Sequence, residues 1–197
     1  MKDWTGNSHT TFAIIGASNH SDVVRQKEDY YATEPKAAEL LLQHCHLDGP
    51  IWEPACGERH LASVFERAGY DVRSSDIIRR CDCEQLDFLS PDNLQMWNGD
   101  IVTNPPYKYA QQFVEHSLRL VPYGHKVCMF LKLTFLEGKA RKSLFINTPP
   151  YRILVSSSRL ICAMNGEFDK YPSSAVAYAW YVWVKGFKGM TTVEWIN

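Results

Sequence analysis

Asn104-Pro105-Pro106-Tyr107 gathers, in four consecutive residues, the groups that would hold a planar ligand bearing an exocyclic amino group. The Asn104 side-chain oxygen and the Pro105 carbonyl can accept its two N–H bonds, while the Tyr107 ring stacks on its face. The tetrapeptide follows Ile101-Val102-Thr103, which reads as the end of a buried strand. Two consecutive prolines cannot continue a strand, since neither has an N–H to donate. The groups are therefore presented into a loop. A second loop of this kind lies upstream. Ile51-Trp52-Glu53-Pro54-Ala55-Cys56-Gly57 runs from a short apolar strand through small residues towards a helix closed by Gly69. At the carboxyl end of a first strand, such a loop lets a ligand approach the backbone. Asp76 ends the next strand-like run, where a carboxylate can accept from both hydroxyls of a ribose.

These residues carry a family resemblance. Asn-Pro-Pro-Tyr resembles motif IV of the amino-methyltransferases, which methylate adenine N6 or, in one branch, a glutamine amide. Glu-Pro-Ala-Cys-Gly resembles motif I of the adenine DNA methyltransferases, the S-adenosyl-L-methionine loop, with one departure: Arg59 stands where the family usually has a second Gly. Tyr31, Thr33 and Pro35, within Tyr30-Tyr31-Ala32-Thr33-Glu34-Pro35, look like motif X, which touches the methionine end of the cofactor. Phe12 to His20 and the closing Ala179-Trp180-Tyr181-Val182-Trp183 extend the similarity to small phage and prophage adenine methyltransferases, over roughly residues 12 to 184. The resemblance implies an S-adenosylmethionine-dependent enzyme methylating N6 of an adenine flipped out of DNA. Asn104, Pro105, Pro106 and Tyr107 would be its catalytic loop. Glu53, Pro54, Ala55, Cys56 and Gly57 would hold the methionine part of the cofactor, with Asp76 on the ribose. Asp87 would accept from the cofactor adenine and Phe88 would pack on it. RNA-adenine and protein-glutamine methylation, and a non-catalytic binding fold, remain alternatives.

Positioning these loops requires alternating strands and helices. Strands are expected at 51–54, 71–75, 84–87, 100–103, 126–131, 151–156 and 175–184, and helices at 35–45, 60–68, 108–120 and 137–146. Thr33 and Pro35 suit the cap and first turn of the first helix. The alternation and the resemblance together imply a Rossmann-like α/β fold: a seven-stranded, mostly parallel sheet flanked by helices, its final strand antiparallel between two others. Residues 175–184 are apolar on both faces and should be central, their tryptophans in the core. Residues 1–28 read as a polar arm and 29–197 as one catalytic domain without a separate target-recognition domain. The 156–174 connection is long enough to be functional.

Composition bounds the partners. A net charge of −1 over 197 residues argues against indiscriminate coating of nucleic acid. It leaves room for a local basic face, for which Lys108, Lys132, Lys139, Arg141, Lys142 and Arg159 are the candidates. No apolar run reaches membrane length and the start is polar, so a cytoplasmic protein is expected. The six cysteines show no finger-type spacing, and Cys81-Asp82-Cys83 is too tight for a usual zinc pair, so no metal is expected.

Overall fold

A computed structural model describes residues 31–164, 166, 168–170, 174 and 176–197. The amino-terminal arm and the Phe12 to His20 motif lie outside these residues. Ten strands are defined: β1 (Tyr31–Thr33), β2 (Ile51–Glu53), β3 (Val72–Asp76), β4 (Glu84–Gln85), β5 (Asp100–Thr103), β6 (Lys126–Lys132), β7 (Arg152–Ser156), β8 (Cys162–Met164), β9 (Tyr178–Val184) and β10 (Thr192–Ile196). Four α-helices accompany them among the described residues: α1 (Pro35–His44), α2 (Ala62–Arg67), α3 (Ala110–Leu120) and α4 (Lys142–Asn147).

The main sheet has the order β10-β7-β9-β6-β5-β2-β3-β4. Only β9 runs antiparallel, held between β6 and β7. The reason is legible along its length. Tyr178, Trp180 and Val182 enter one core, while Ala179, Tyr181 and Trp183 enter the other. A strand buried on both faces belongs at the centre. Its tryptophans are core residues with satisfied indoles: Trp180 donates to the Ala37 carbonyl at 2.8 Å and Trp183 to the Thr148 carbonyl at 3.0 Å. The first core gathers α1 and α2 through Ala37, Leu41 and Phe65. The second gathers α3 and α4 through Phe113, Val114 and Leu144. The result is a three-layer sandwich of helices on both faces of a parallel sheet.

The structure differs from the sequence expectation in three places. The sheet has eight strands, not seven, because β10 adds parallel to β7 at the edge. The antiparallel strand is therefore not the last one. Short β1 and β8 pair antiparallel in a separate ribbon, Thr33 opposite Cys162, within what reads as a loop. Thr33 also does not cap α1: the cap position is Glu34 and has no side-chain cap bond, while Pro35 does open the helix.

Candidate functional site

β2, β3 and β5 run parallel, and their carboxyl ends deliver Glu53, Asp76 and the Asn104 loop to one side of the sheet. There the order reverses, with β3 on one flank of β2 and β5 on the other, the place where ligands enter open α/β sheets. A cavity of about 950 Å³ occupies it. Its walls include Tyr31, Thr33, Glu53, Pro54, Ala55, Cys56, Asp76, Asp87, Phe88, Asn104, Pro105, Pro106, Tyr107 and Lys108. Segments far apart in sequence thus converge on one chamber.

The Asn104 amide is oriented. Asn104 Nδ2 donates to the Tyr31 carbonyl at 3.1 Å and to Thr33 Oγ1 at 2.8 Å. A backbone carbonyl can only accept, so the amide nitrogen must face β1 and the oxygen must face away. That oxygen, Oδ1, is shielded from solvent and has no hydrogen-bond partner among the described residues. A buried acceptor without a donor costs about 1–3 kcal/mol, which a ligand N–H would recover. Beyond Pro106 the chain makes one 3-10 turn, Tyr107–Tyr109. The Tyr107 hydroxyl donates to Tyr178 Oη at 3.3 Å, and Lys132 Nζ lies 4.4 Å from the centre of the Tyr107 ring.

The loop after β2 is organised by two carboxylates. Glu53 is 2% exposed and accepts from the Ala62 N–H at 2.9 Å. Burial pushes its carboxyl well above the usual range, and the nearby Asp76 charge pushes it further. Asp76 Oδ2 accepts from the Gly57 N–H at 2.8 Å and Oδ1 from the Ile78 N–H at 3.0 Å, with Arg80 Nη1 at 3.5 Å. Gly57 and Arg59 both have positive φ, +53° and +65°. This conformation is natural to glycine and costs a side-chain-bearing residue about 1–2 kcal/mol.

Neither a protein-family model nor a curated protein sequence matches the chain. Solved structures do. The M protein of the type I restriction enzyme EcoKI aligns over 82% of this chain and 45% of its own, with a TM-score of 0.58 at 14% identity. A modification subunit attributed to a type I restriction enzyme of Vibrio vulnificus YJ016 aligns over 86% and 47%, with a TM-score of 0.55 at 13% identity. A SAM-dependent O-methyltransferase of Thermotoga maritima aligns over 85% and 71%, with a TM-score of 0.54 at 12% identity. The fold is that of the class I S-adenosylmethionine-dependent methyltransferases. The chain spans less than half the length of either restriction-system subunit.

Within this methyltransferase fold, most residues singled out in the sequence meet at the cavity, with instructive exceptions. Pro35 and Gly57 are not part of its wall: Pro35 starts α1, and Gly57 spends its N–H on Asp76. Phe88 reaches the cavity but is 2% exposed, packed against Trp52, Phe113 and His116. It offers a ligand little area. Ile77, 57% exposed beside Asp76, offers more, and the sequence reading passed over it, as it did His60. An exposed isoleucine directly after a strand-ending Asp was the available signal. Of the basic residues, Lys108 lines the cavity and Lys132 packs on Tyr107, while Arg159 is exposed. Lys139 and Lys142 border a separate shallow depression with Phe145 and Ile146. Arg141 is largely committed internally: its guanidinium donates to the carbonyls of Thr134, Phe135 and Glu137 and covers the Phe135 ring. It ties the 133–141 loop together and is a poor candidate for a phosphate contact.

Arg59 is no intruder in the methyltransferase loop. Its side chain turns to Glu66 and Ser74 and is absent from the cavity wall. Replacing it by Gly relieves about 1–2 kcal/mol of backbone strain. It also forfeits a partly exposed ion pair of about 0–1 kcal/mol and adds about 0.5–1 kcal/mol of unfolded-state entropy. The terms nearly cancel, so Arg59→Gly should shift the melting temperature by only a few degrees, roughly as 1 kcal/mol does. Thermal denaturation checks the expectation, and a large loss would mean that the Glu66 pair dominates.

Proposed function

We propose that the chain transfers a methyl group from S-adenosylmethionine to N6 of adenine in DNA. The observation that carries this reading is the Asn104 amide, its nitrogen pinned by Tyr31 and Thr33 and its buried oxygen unpaired among the described residues. An exocyclic amine is the natural occupant, because it brings two N–H donors to a site built as an acceptor. Adenine N6 is a weak nucleophile, its lone pair being delocalised into the ring. Accepting one N–H at Asn104 Oδ1 and the other at the Pro105 carbonyl favours a more tetrahedral nitrogen whose lone pair is free to attack. Tyr107 would replace the stacking a flipped base loses. Positioning and fixed dipoles do most of the work, and no strong base is required, since the amine becomes acidic only once alkylated.

The cavity residues fit the cofactor. A volume of about 950 Å³ and three carboxylates, Glu53, Asp76 and Asp87, suit a cationic nucleoside. When bound, S-adenosylmethionine supplies an electrophilic methyl on a positively charged sulfur. Glu53 would face its methionine end, and Asp76 would use its remaining lone pairs on the ribose. Asp87 would take the adenine amine, and Ile77 joins Phe88 as the apolar wall.

Glu53 gives the binding a pH signature. Burial raises its carboxyl well above the usual carboxylate value in the free protein. The protonated form therefore persists above that value, and the stability it brings is lost as pH rises through the raised pKa. A cation placed against Glu53 favours the carboxylate, so cofactor binding should release up to about one proton and strengthen with rising pH across that window. Calorimetry at mildly acidic pH, in buffers of different ionisation heat, measures the release. It should vanish in Glu53→Gln; equal release from that variant would assign the proton elsewhere.

DNA is the proposed polymer. Two fold neighbours are described as a modification subunit and an M protein of type I restriction enzymes, and Lys108 and Lys132 stand at the cavity and beside Tyr107. The 156–174 segment reaches the site through β8, whose Cys162 lies opposite Thr33. We assign target contacts to it and to the lysines. Phosphate contacts then dominate, so binding falls steeply with salt and the recognised motif is short or absent. A methylome from a host lacking adenine methylation, expressing this chain, should contain N6-methyladenine with few fixed flanking bases. A long, strictly read motif would show that a reading element or partner subunit has been missed.

A further inference from the structure

At the loop after β2, three of the chain's six cysteines meet. Cys56 comes from the loop after β2, and Cys81 and Cys83 come from the connection between β3 and β4. Their sulfur atoms all lie within 4.8 Å of one another. Cys81 Sγ also stands 3.2 Å from the Gly57 carbonyl, on which Cys56 Sγ converges at 3.8 Å. Core packing explains Cys45 and Cys128, which are buried within an apolar cluster. It does not explain Cys81 and Cys83. They flank Asp82, whose side chain is 98% exposed, in a turn that also holds Arg79, Arg80 and Glu84.

We propose that Cys56, Cys81 and Cys83 form a binding site for one thiophilic divalent cation, Zn²⁺ being the natural occupant, with a solvent molecule completing the tetrahedron. Zn–S bonds of about 2.3 Å put tetrahedral sulfurs about 3.8 Å apart, so the three thiols need to close by no more than about 1 Å. Three thiolates select a soft metal over Mg²⁺ or Ca²⁺, and each would lose its proton on binding. The Cys-x-Cys spacing, too tight for a zinc finger by itself, works here because the third ligand arrives from another loop. The metal would clamp the two segments that Gly57 and Asp76 already join by hydrogen bond. It would thereby brace the cavity wall to which Cys56 belongs, a role that stands whether or not the enzyme methylates adenine.

The test uses the whole chain. Reduced, metal-free protein titrated with Co²⁺ should develop a thiolate-to-metal charge-transfer band that saturates near about one equivalent and is bleached by Zn²⁺. Zn²⁺ should shield Cys56, Cys81 and Cys83, and no other cysteine, from alkylation as mapped by peptide mass spectrometry. The double variant Cys81→Ser/Cys83→Ser should lose the metal, whereas Cys162→Ser should keep it. Should the double variant fail to fold, the alkylation map of the parent chain decides. Absence of metal uptake, uptake undiminished in the double variant, or a disulfide within the trio of a chain that takes up no metal would each overturn the site.

Discussion

Asn104→Ala should reduce methyl transfer by at least about 10²–10³-fold, the usual cost of removing one positioned polar group from a transition state. Cofactor affinity should stay within about threefold, because in the proposed mechanism Asn104 would face the target amine rather than the ribose or adenine of the cofactor. Folding should suffer modestly: the Tyr31 carbonyl and Thr33 hydroxyl lose their donor, worth about 1 kcal/mol each. Asn104→Asp sharpens the experiment. It keeps an acceptor on the target side but sets a carboxylate oxygen against the Tyr31 carbonyl, two acceptors with no hydrogen between them. If orientation of the amide matters, Asp should be nearly as inactive as Ala. Single-turnover rates combined with calorimetry separate the effects: retained turnover in Asn104→Ala would remove Asn104 from the chemistry, whereas retained turnover in Asn104→Asp alone would show that an acceptor suffices without the pinned amide.

Asp76→Ala should weaken cofactor binding by about 1–3 kcal/mol, or roughly 5–150-fold, through loss of a charged acceptor for the ribose. The structure adds a second consequence. The same carboxylate holds the Gly57 and Ile78 N–H groups and sits beside Arg80, so its removal also loosens the loop it organises. The melting temperature of the free protein should therefore fall as well. Asp76→Asn divides the two effects, since its amide oxygen can still serve one backbone donor. Unchanged cofactor affinity in Asp76→Ala, measured by calorimetry, would refute the ribose assignment.

Features carried by consecutive residues were legible in the chain. A strand that must stop at two prolines, and a small-residue loop between a strand and a helix, declare themselves locally, so the Asn104 and Glu53 loops were found. The double burial of β9 followed from its unbroken apolar run. Pairings between distant segments were not legible. β1 is three residues long and acquires its meaning only by pairing with β8, which turned Thr33 from an expected helix cap into a partner of Asn104. β10 is half-exposed and carries Glu194 in its middle, so its sequence lacks the apolar run of a buried strand; it is held by β7 and the Arg152–Glu194 pair. Charge alone likewise could not show that Arg141 spends its donors on its own loop.

The central claim is methyl transfer to adenine N6, and nucleoside mass spectrometry tests it most directly. Purified chain is incubated with S-adenosylmethionine and, in parallel, with duplex DNA, RNA and a glutamine-containing peptide. The account predicts N6-methyladenine in the DNA reaction, rising with time and absent with Asn104→Ala. Methylation confined to RNA or to the peptide, or none in any reaction despite measured cofactor binding, would contradict it.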